Sequence, residues 1–194
     1  MRAALKRVDV LITTGGVSMG ELDLLKPTVE RRLGGTIHFG RVAMKPGKPT
    51  TFATVPAVNI KDPVTRGPAV DEGAKKLIFS LPGNPASAVV TFMLFVLPAL
   101  RRMSGVVPAG LPKIKVMLAG EVRCDTQREE YHRVVVSAGV DGDSGLWAQS
   151  TGGQRSSRIG SFVGANALLK LPAGGGVLRR GAQVEAMMMG SLAA

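Results

Sequence analysis

Lys45 and Lys48 stand three apart in "MKPGKP" (44–49), where Pro46 and Pro49 stiffen the backbone on either side of Gly47. Two ammonium groups preorganised in this way suit an oxyanion, although a hairpin turn carrying two solvated lysines has the same spelling. Ser87 lies just inside "LPGNPASA" (81–88), where a strand ends, the chain turns through Pro82, Gly83, Asn84 and Pro85, and an apolar helix begins. Pro85 suits the first helical turn, and the unpaired N–H groups there favour an anion. In "TTGGVSMGELD" (13–23), Gly15 and Gly16 allow positive φ and close approach of a ligand, and Ser18 and Asp23 follow at the next helix start. This loop has neither the Lys-Ser/Thr ending of a P-loop nor the spacing of a dinucleotide fingerprint. Taken singly it reads slightly better as an ordinary strand-to-helix turn capped by Ser18 or Asp23. Arg128 and Arg133 flank "EEYH", and a guanidinium donates two parallel hydrogen bonds to an oxyanion. Arg128 is the first choice and Arg133 the reserve, the alternative being simple pairing with Glu129 and Glu130 on an exposed strand. His38 and His132 have no partner at metal-ligand spacing and read as structural.

Strands and helices must hold these loops. Residues 8–13 read as a short, continuously apolar strand with Asp9 at its edge, which predicts burial in a parallel sheet with helices on both faces. A helix over 22–33, a strand over 36–44, strands over 50–55 and 77–81, and a helix over 86–103 ending in Arg101 and Arg102 follow. The intervening segment 56–76 carries three prolines, two glycines and mixed charge, and predicts a loop or disordered insertion. Three loops at the carboxyl ends of strands in one α/β sheet would converge on one crevice, where such sheets bind ligands. Past 104–112 the pattern changes. Strand-like runs at 114–118, 131–137, 146–149, 167–171 and 183–189, separated by turn residues, predict a second, all-β domain from about Pro112. Met187 to Met189 read as packing in its last strand.

The chain of 194 residues is 45% hydrophobic, enough for one medium domain or two small ones. Its net charge of +11 attracts anions of every kind, a nucleic acid included. Against that class, aromatic residues are only 4%, too few for a base-stacking platform. The single Cys124 excludes an intrachain disulfide and fits a reducing, cytoplasmic setting. The longest uncharged apolar stretch, 86–100, is shorter than the ~18 residues of a spanning helix and contains Pro98, so a buried core helix is predicted and no membrane span.

In order, "TTGGVSMGELD", "MKPGKPTTFA", "LPGNPASAVV", "REEYHR" and "STGGQRSSR" closely resemble the molybdopterin molybdotransferase family: MoeA, the plant molybdenum insertase and the gephyrin E domain. "EYHR" and "WAQSTG" look more like the eukaryotic members. The resemblance implies a partial, MogA/MoaB-like three-layer α/β domain with a mostly parallel sheet over 1–111, interrupted by the 56–76 insertion. A small barrel-like β domain similar to MoeA domain IV would occupy 112–194. It implies insertion of molybdate into the dithiolene of molybdopterin, in eukaryotes the adenylylated form. Molybdate would be held at Lys45, Lys48, Ser87, Arg128, Ser156 and Ser157. Gly15, Gly16, Ser18, Pro82, Gly83, Asn84 and Pro85 would line the substrate and cofactor site. Asp23 would be an active-site carboxylate, acting through magnesium or a bound water. Family members are longer, with further N-terminal domains and active sites formed between the subunits of a homodimer. The chain therefore reads as incomplete at its start, expected to bind molybdate weakly and not to complete insertion alone. A gephyrin-like dimeric scaffold that binds a peptide at the domain junction, without catalysis, is the alternative that the same motifs allow.

Overall fold

A computed structural model describes residues 1–16, 24–60, 73–139 and 144–193. In chain order its elements begin with helix α1 (Arg2–Leu5), strand β1 (Val10–Thr14) and helix α2 (Leu25–Pro27), which runs into a π-helical turn at Thr28–Arg32. Strands β2 (Thr36–Phe39), β3 (Met44–Lys45) and β4 (Thr51–Pro56), a 3-10 turn at Ala57–Ile60, and β5 (Lys75–Leu81) follow. Helix α3 spans Pro85–Met103. The remaining strands are β6 (Lys113–Leu118), β7 (Val122–Arg123), β8 (Glu129–Ala138), β9 (Leu146–Ser150), β10 (Ala167–Leu171), β11 (Val177–Leu178) and β12 (Gln183–Met188), with a 3-10 turn at Ile159–Phe162 before β10. Two compact units result, residues 1–42 with 48–83 and residues 43–47 with 84–194.

The first unit is α/β, with strand order β1-β5-β4-β2. Its sheet is mixed and not mostly parallel as expected: β1 runs parallel to β5, whereas β4 pairs antiparallel with both β5 and β2. Parallel neighbours need a long crossover, and only β1 and β5, far apart in sequence, have one. Alternation along β4 and β5 divides the two faces. Ala53, Val55 and Ile78 face a core with Leu5, Val29, Leu33 and Ile60, while Phe52 and Phe79, on the other face, stack 4.7 Å apart. His38 stacks on Phe52 and its Nε2 lies 2.9 Å from the Thr54 hydroxyl, the structural role expected of it. Strand β1 departs from the expected continuous burial. It is an edge strand bonded to β5 alone among the described residues, and Ile12 is 38% exposed. Residues 61–72, most of the predicted insertion, lie outside the described residues.

In the second unit five strands close into a barrel in the order β10-β12-β6-β9-β8, with β8 returning to β10. Every second residue points inward, so Val116, Leu118, Val134, Val136, Ala148, Leu169, Leu171, Val184 and Ala186 fill one core. Full burial of each Val or Leu contributes about 1.5–3 kcal/mol, so this core holds the barrel without a disulfide. Met187 is buried, as the packing role expected of the methionines requires. Helix α3 belongs to the same unit and differs from the buried core helix predicted. It continues through Pro98, which has no N–H to return to the carbonyl four residues back, with a π-helical segment at Phe92–Val96 just before it. The resulting 19 residues are long and apolar enough to cross a membrane by length and composition, which core helices of soluble proteins also are. Most of them are half-exposed in this chain.

Candidate functional site

The strand expected over 36–44 divides, and the division decides where Lys45 is held. Residues 36–39 stay in the α/β sheet, but Met44 and Lys45 pair in parallel with Glu129 and Glu130 of β8, at the rim of the barrel sheet. The turn that follows is fixed by packing. Gly47 has φ +118°, and a Cβ there would lie 2.5 Å from Thr91 Cγ2 of α3, so only glycine fits. Lys45 consequently points its ammonium into a ring of carboxylates, 2.9 Å from Glu130 Oε2 and 3.5 Å from Asp125 Oδ2. Lys48 falls in the other unit, is exposed, and makes no ion pair among the described residues.

Glu130 and His132 are two apart on β8 and share a face. Nδ1 of His132 lies 3.2 Å from Glu130 Oε1, and its Nε2 lies 2.7 Å from Ser150 Oγ, which also accepts the Gly152 N–H at 3.1 Å. A ring protonated on Nδ1 satisfies all three, donating to the carboxylate and accepting from the serine hydroxyl. Burial alone would raise the Glu130 carboxyl, but the hydrogen bonds from His132 and Lys45, and their charges, outweigh it and hold the group below its ordinary 4.5. Burial would likewise lower Lys45, and the hydrogen bond and charge of Glu130, with Asp125 behind them, raise it instead.

Asp125 opens an Asx turn. Its Oδ1 accepts the backbone N–H groups of Gln127 at 3.0 Å and Arg128 at 3.1 Å. Oδ2 is left facing two cations, Lys45 Nζ and Arg128 Nη2, each at 3.5 Å. The Asp125 carbonyl is itself anchored by the N–H groups of Gly174 and Gly175, both at 3.1 Å. Backbone hydrogen bonds, chiefly that from Gln127, keep the Asp125 carboxyl below its usual range, with the charges of Arg128 and Lys45 adding to them. One carboxylate oxygen thus gathers two of the three cations that the sequence singles out for an oxyanion, Lys45 and Arg128 but not Lys48.

The loop at 151–158 is stitched onto Arg133. The Arg133 N–H donates to Gln154 Oε1 at 2.8 Å, and its carbonyl accepts from the Thr151 hydroxyl at 3.0 Å. The guanidinium donates to Ser161 Oγ at 3.0 Å and to the Arg155 carbonyl at 3.4 Å, and lies over the Phe162 ring. Arg133 is fully buried, which lowers its pKa, so it supports the loop from beneath and does not present itself as the reserve ligand. Neither arginine pairs with Glu129 or Glu130: Glu129 is bound by Lys170 at 3.1 Å and Glu130 by Lys45.

Above Arg155, Ser156 meets the start of α3. Its carbonyl accepts the Ala86 N–H at 3.1 Å and its hydroxyl accepts from Asn84 Nδ2 at 2.9 Å. Ser87, in the first turn, is 3% exposed, and its carbonyl accepts the hydroxyl of Thr91, the residue against which Gly47 packs. Ser157 is exposed. The barrel unit therefore carries two clusters, Lys45 and Arg128 on Asp125, and Asn84 with Ser156 at the start of α3 beside Pro85 and Ser87. In the α/β unit, Gly15 and Gly16 have φ of +78° and +68°, and the Gly15 N–H donates to the Leu81 carbonyl at 3.0 Å. A Cβ on Gly83 would touch Gly15 Cα at 3.4 Å, so the loops after the parallel strands β1 and β5 run side by side, with Pro82 buried between strand and turn. The three-loop crevice on one sheet is thus corrected to two loops on that sheet, the Lys45 turn being carried by β8. Ser18 and Asp23 lie outside the described residues, and with them the magnesium expected at Asp23. Among the described residues no three His, Cys, Asp or Glu side chains come together as a metal site.

Asp125, Glu130 and Ser150 escaped the sequence reading. Signals for the first two exist: an Asp opening a turn, whose carboxylate accepts the backbone N–H groups two and three residues on, spells an Asx turn, and Glu-x-His on a strand places both side chains on one face.

Two family models match the chain. "Probable molybdopterin binding domain" covers residues 1–102 and "MoeA C-terminal region (domain IV)" covers 115–189. Gephyrin of Dictyostelium discoideum is 44% identical over 193 residues, 96% of this chain and 26% of that protein. Molybdenum cofactor synthesis protein cinnamon of Drosophila melanogaster is 43% identical over 168 residues, 86% of this chain and 24% of that one. A molybdopterin molybdenumtransferase of Nostoc is 32% identical over 189 residues, 96% of this chain and 39% of that protein. The chain thus spans well under half the length of these relatives. The crystal structure of a molybdopterin biosynthesis MoeA protein from Pyrococcus superposes with a TM-score of 0.64 at 23% identity, over 97% of this chain and 39% of that one, which shows the fold. The match over 1–102, followed in order by that over 115–189, makes this chain a member of the MoeA/gephyrin E-domain family.

Proposed function

We propose that the barrel unit holds the tetrahedral oxyanion in a molybdopterin molybdotransferase, and that the chain serves molybdenum cofactor biosynthesis. One observation carries the reading: Lys45 and Arg128, from different segments, are held against a single oxygen of Asp125. Two charges so placed can clamp a dianion, and Asn84, Ser156 and Ser87 of the same unit would supply further hydrogen-bond donors. Gly15, Gly16 and Gly83, with Pro82, would let backbone approach the phosphate of molybdopterin. In the transfer two Mo–S bonds form and one Mo–O bond breaks, the oxygen leaving as water with the two dithiol protons. The positions of Lys45 and Arg128 would hold the anion while charge redistributes, the preorganised electrostatic help that catalysis rests on.

The family names support this reading. A division near residue 112 into a molybdopterin-binding part and a β part is supported by the gap between the two family matches. A homodimer, a cytoplasmic setting, a peptide-binding scaffold role and magnesium at Asp23 extend the proposal on the strength of the resemblance. The test is calorimetric titration of the chain with molybdate and with sulfate. Arg128→Glu should weaken binding at least tenfold, since charge reversal at a partly buried clamp is worth about 1–3 kcal/mol. Unchanged affinity would remove Arg128 from the clamp, and no binding by wild type would overturn the proposal.

A further inference from the structure

We infer that Asp125 is a resident counter-anion that sets the affinity of the oxyanion site, an inference that rests on the function proposed above. Its two oxygens do different work. Oδ1 is occupied by the N–H groups of Gln127 and Arg128, which form the turn, whereas Oδ2 lies between Lys45 and Arg128 at 3.5 Å from each. Both distances exceed those of a good charge-assisted hydrogen bond, so Oδ2 neutralises the two cations without locking either. The second carboxylate of the cluster is differently placed: Glu130 is 3% exposed and bound at 2.9 Å by Lys45 and at 3.2 Å by His132. With Lys45 and Arg128 positive and Asp125 and Glu130 negative, the four charges cancel. Lys45 and Arg128 keep 37% and 33% of their side-chain surface exposed, so an incoming oxyanion can reach them, but it meets no net attraction and must compete with Oδ2. For a substrate that is to be passed on, such a brake is an advantage, because tight ground-state binding lowers KM without raising kcat.

The roles of turn-former and counter-anion separate by substitution. D125N keeps an oxygen to accept the two turn N–H groups but carries no charge, whereas D125A removes both. Each variant of the full chain is checked by circular dichroism and thermal melting, then titrated calorimetrically with sodium molybdate and with sulfate at low and at high ionic strength. D125N should bind molybdate at least fivefold more tightly than wild type, the gain shrinking as salt rises, and D125A more weakly than D125N. Binding detectable only in D125N would support the inference equally. Should D125N fail to fold, D125S, whose hydroxyl also accepts in such turns, is read in its place. If wild type binds and D125N binds no better, the inference falls and the oxyanion reading stands. If neither binds, both fall.

Discussion

Lys45 lies in two networks at once, and Lys45→Met tests both. Its removal leaves Glu130, 3% exposed, with His132 as its remaining partner, and frees Asp125 from one of its cations. Removing one member of a wholly buried pair costs about 3–5 kcal/mol. The Lys45 side chain is 37% exposed and the orphaned carboxylate keeps the His132 hydrogen bond, so solvent screening reduces the expected loss to about 1–2 kcal/mol. In binding, one charge-assisted ligand worth about 1.5–3 kcal/mol disappears, a fall of roughly ten- to a hundredfold. The double variant Lys45→Met with Glu130→Gln separates the effects: neutralising the orphan should return at least half of the lost stability and none of the lost affinity. Urea unfolding followed by circular dichroism gives the first quantity and molybdate calorimetry the second. If Lys45→Met binds within twofold of wild type, or if the double variant regains affinity, Lys45 is a structural cation and not a ligand.

Gly47→Ala should destabilise the chain by about 2–4 kcal/mol, since the methyl group would lie 2.5 Å from Thr91 at φ +118°; a urea midpoint equal to wild type would refute the packing of this turn on α3. Because the Glu130 pKa is depressed in the fold, its contribution is complete above its ordinary 4.5 and is lost as pH falls through the lower folded value. Wild type should therefore lose its stability advantage over Glu130→Gln below about pH 4.5, and a difference independent of pH would contradict the Lys45–Glu130–His132 arrangement.

Much of the architecture could be read from periodicity. The β part announces itself through short alternating runs, and all five predicted strands there are found within a few residues. Helix α3 is legible in place and length from its apolar run, 86–103 against Pro85–Met103, but its half-exposure is not, since an apolar run does not say how much of it is covered. The run at 36–44 reads as one strand because residue pattern does not say which sheet a strand joins; Met44 and Lys45 leave for β8. That change of partner carries the site, for it delivers Lys45 to Asp125 and Glu130. Lysine spacing suggested an anion clamp but not its counter-ions, which come from sequence 80 or so residues later and meet Lys45 only through tertiary pairing. Arg133, the reserve to Arg128 in "REEYHR", is sent inward beneath the 151–158 loop by the alternation of β8.

The central claim is that Lys45 and Arg128 act together on one oxyanion, and a double-mutant cycle on molybdate affinity tests it most directly. Lys45→Met, Arg128→Met and the double variant are titrated alongside wild type at low ionic strength. Two cations clamping one dianion should be strongly coupled, so the double variant should lose less than the product of the two single losses, by at least fivefold, equivalent to about 1 kcal/mol. Losses that multiply, or single variants that bind as wild type does, would show that the two cations gathered on Asp125 do not share a ligand.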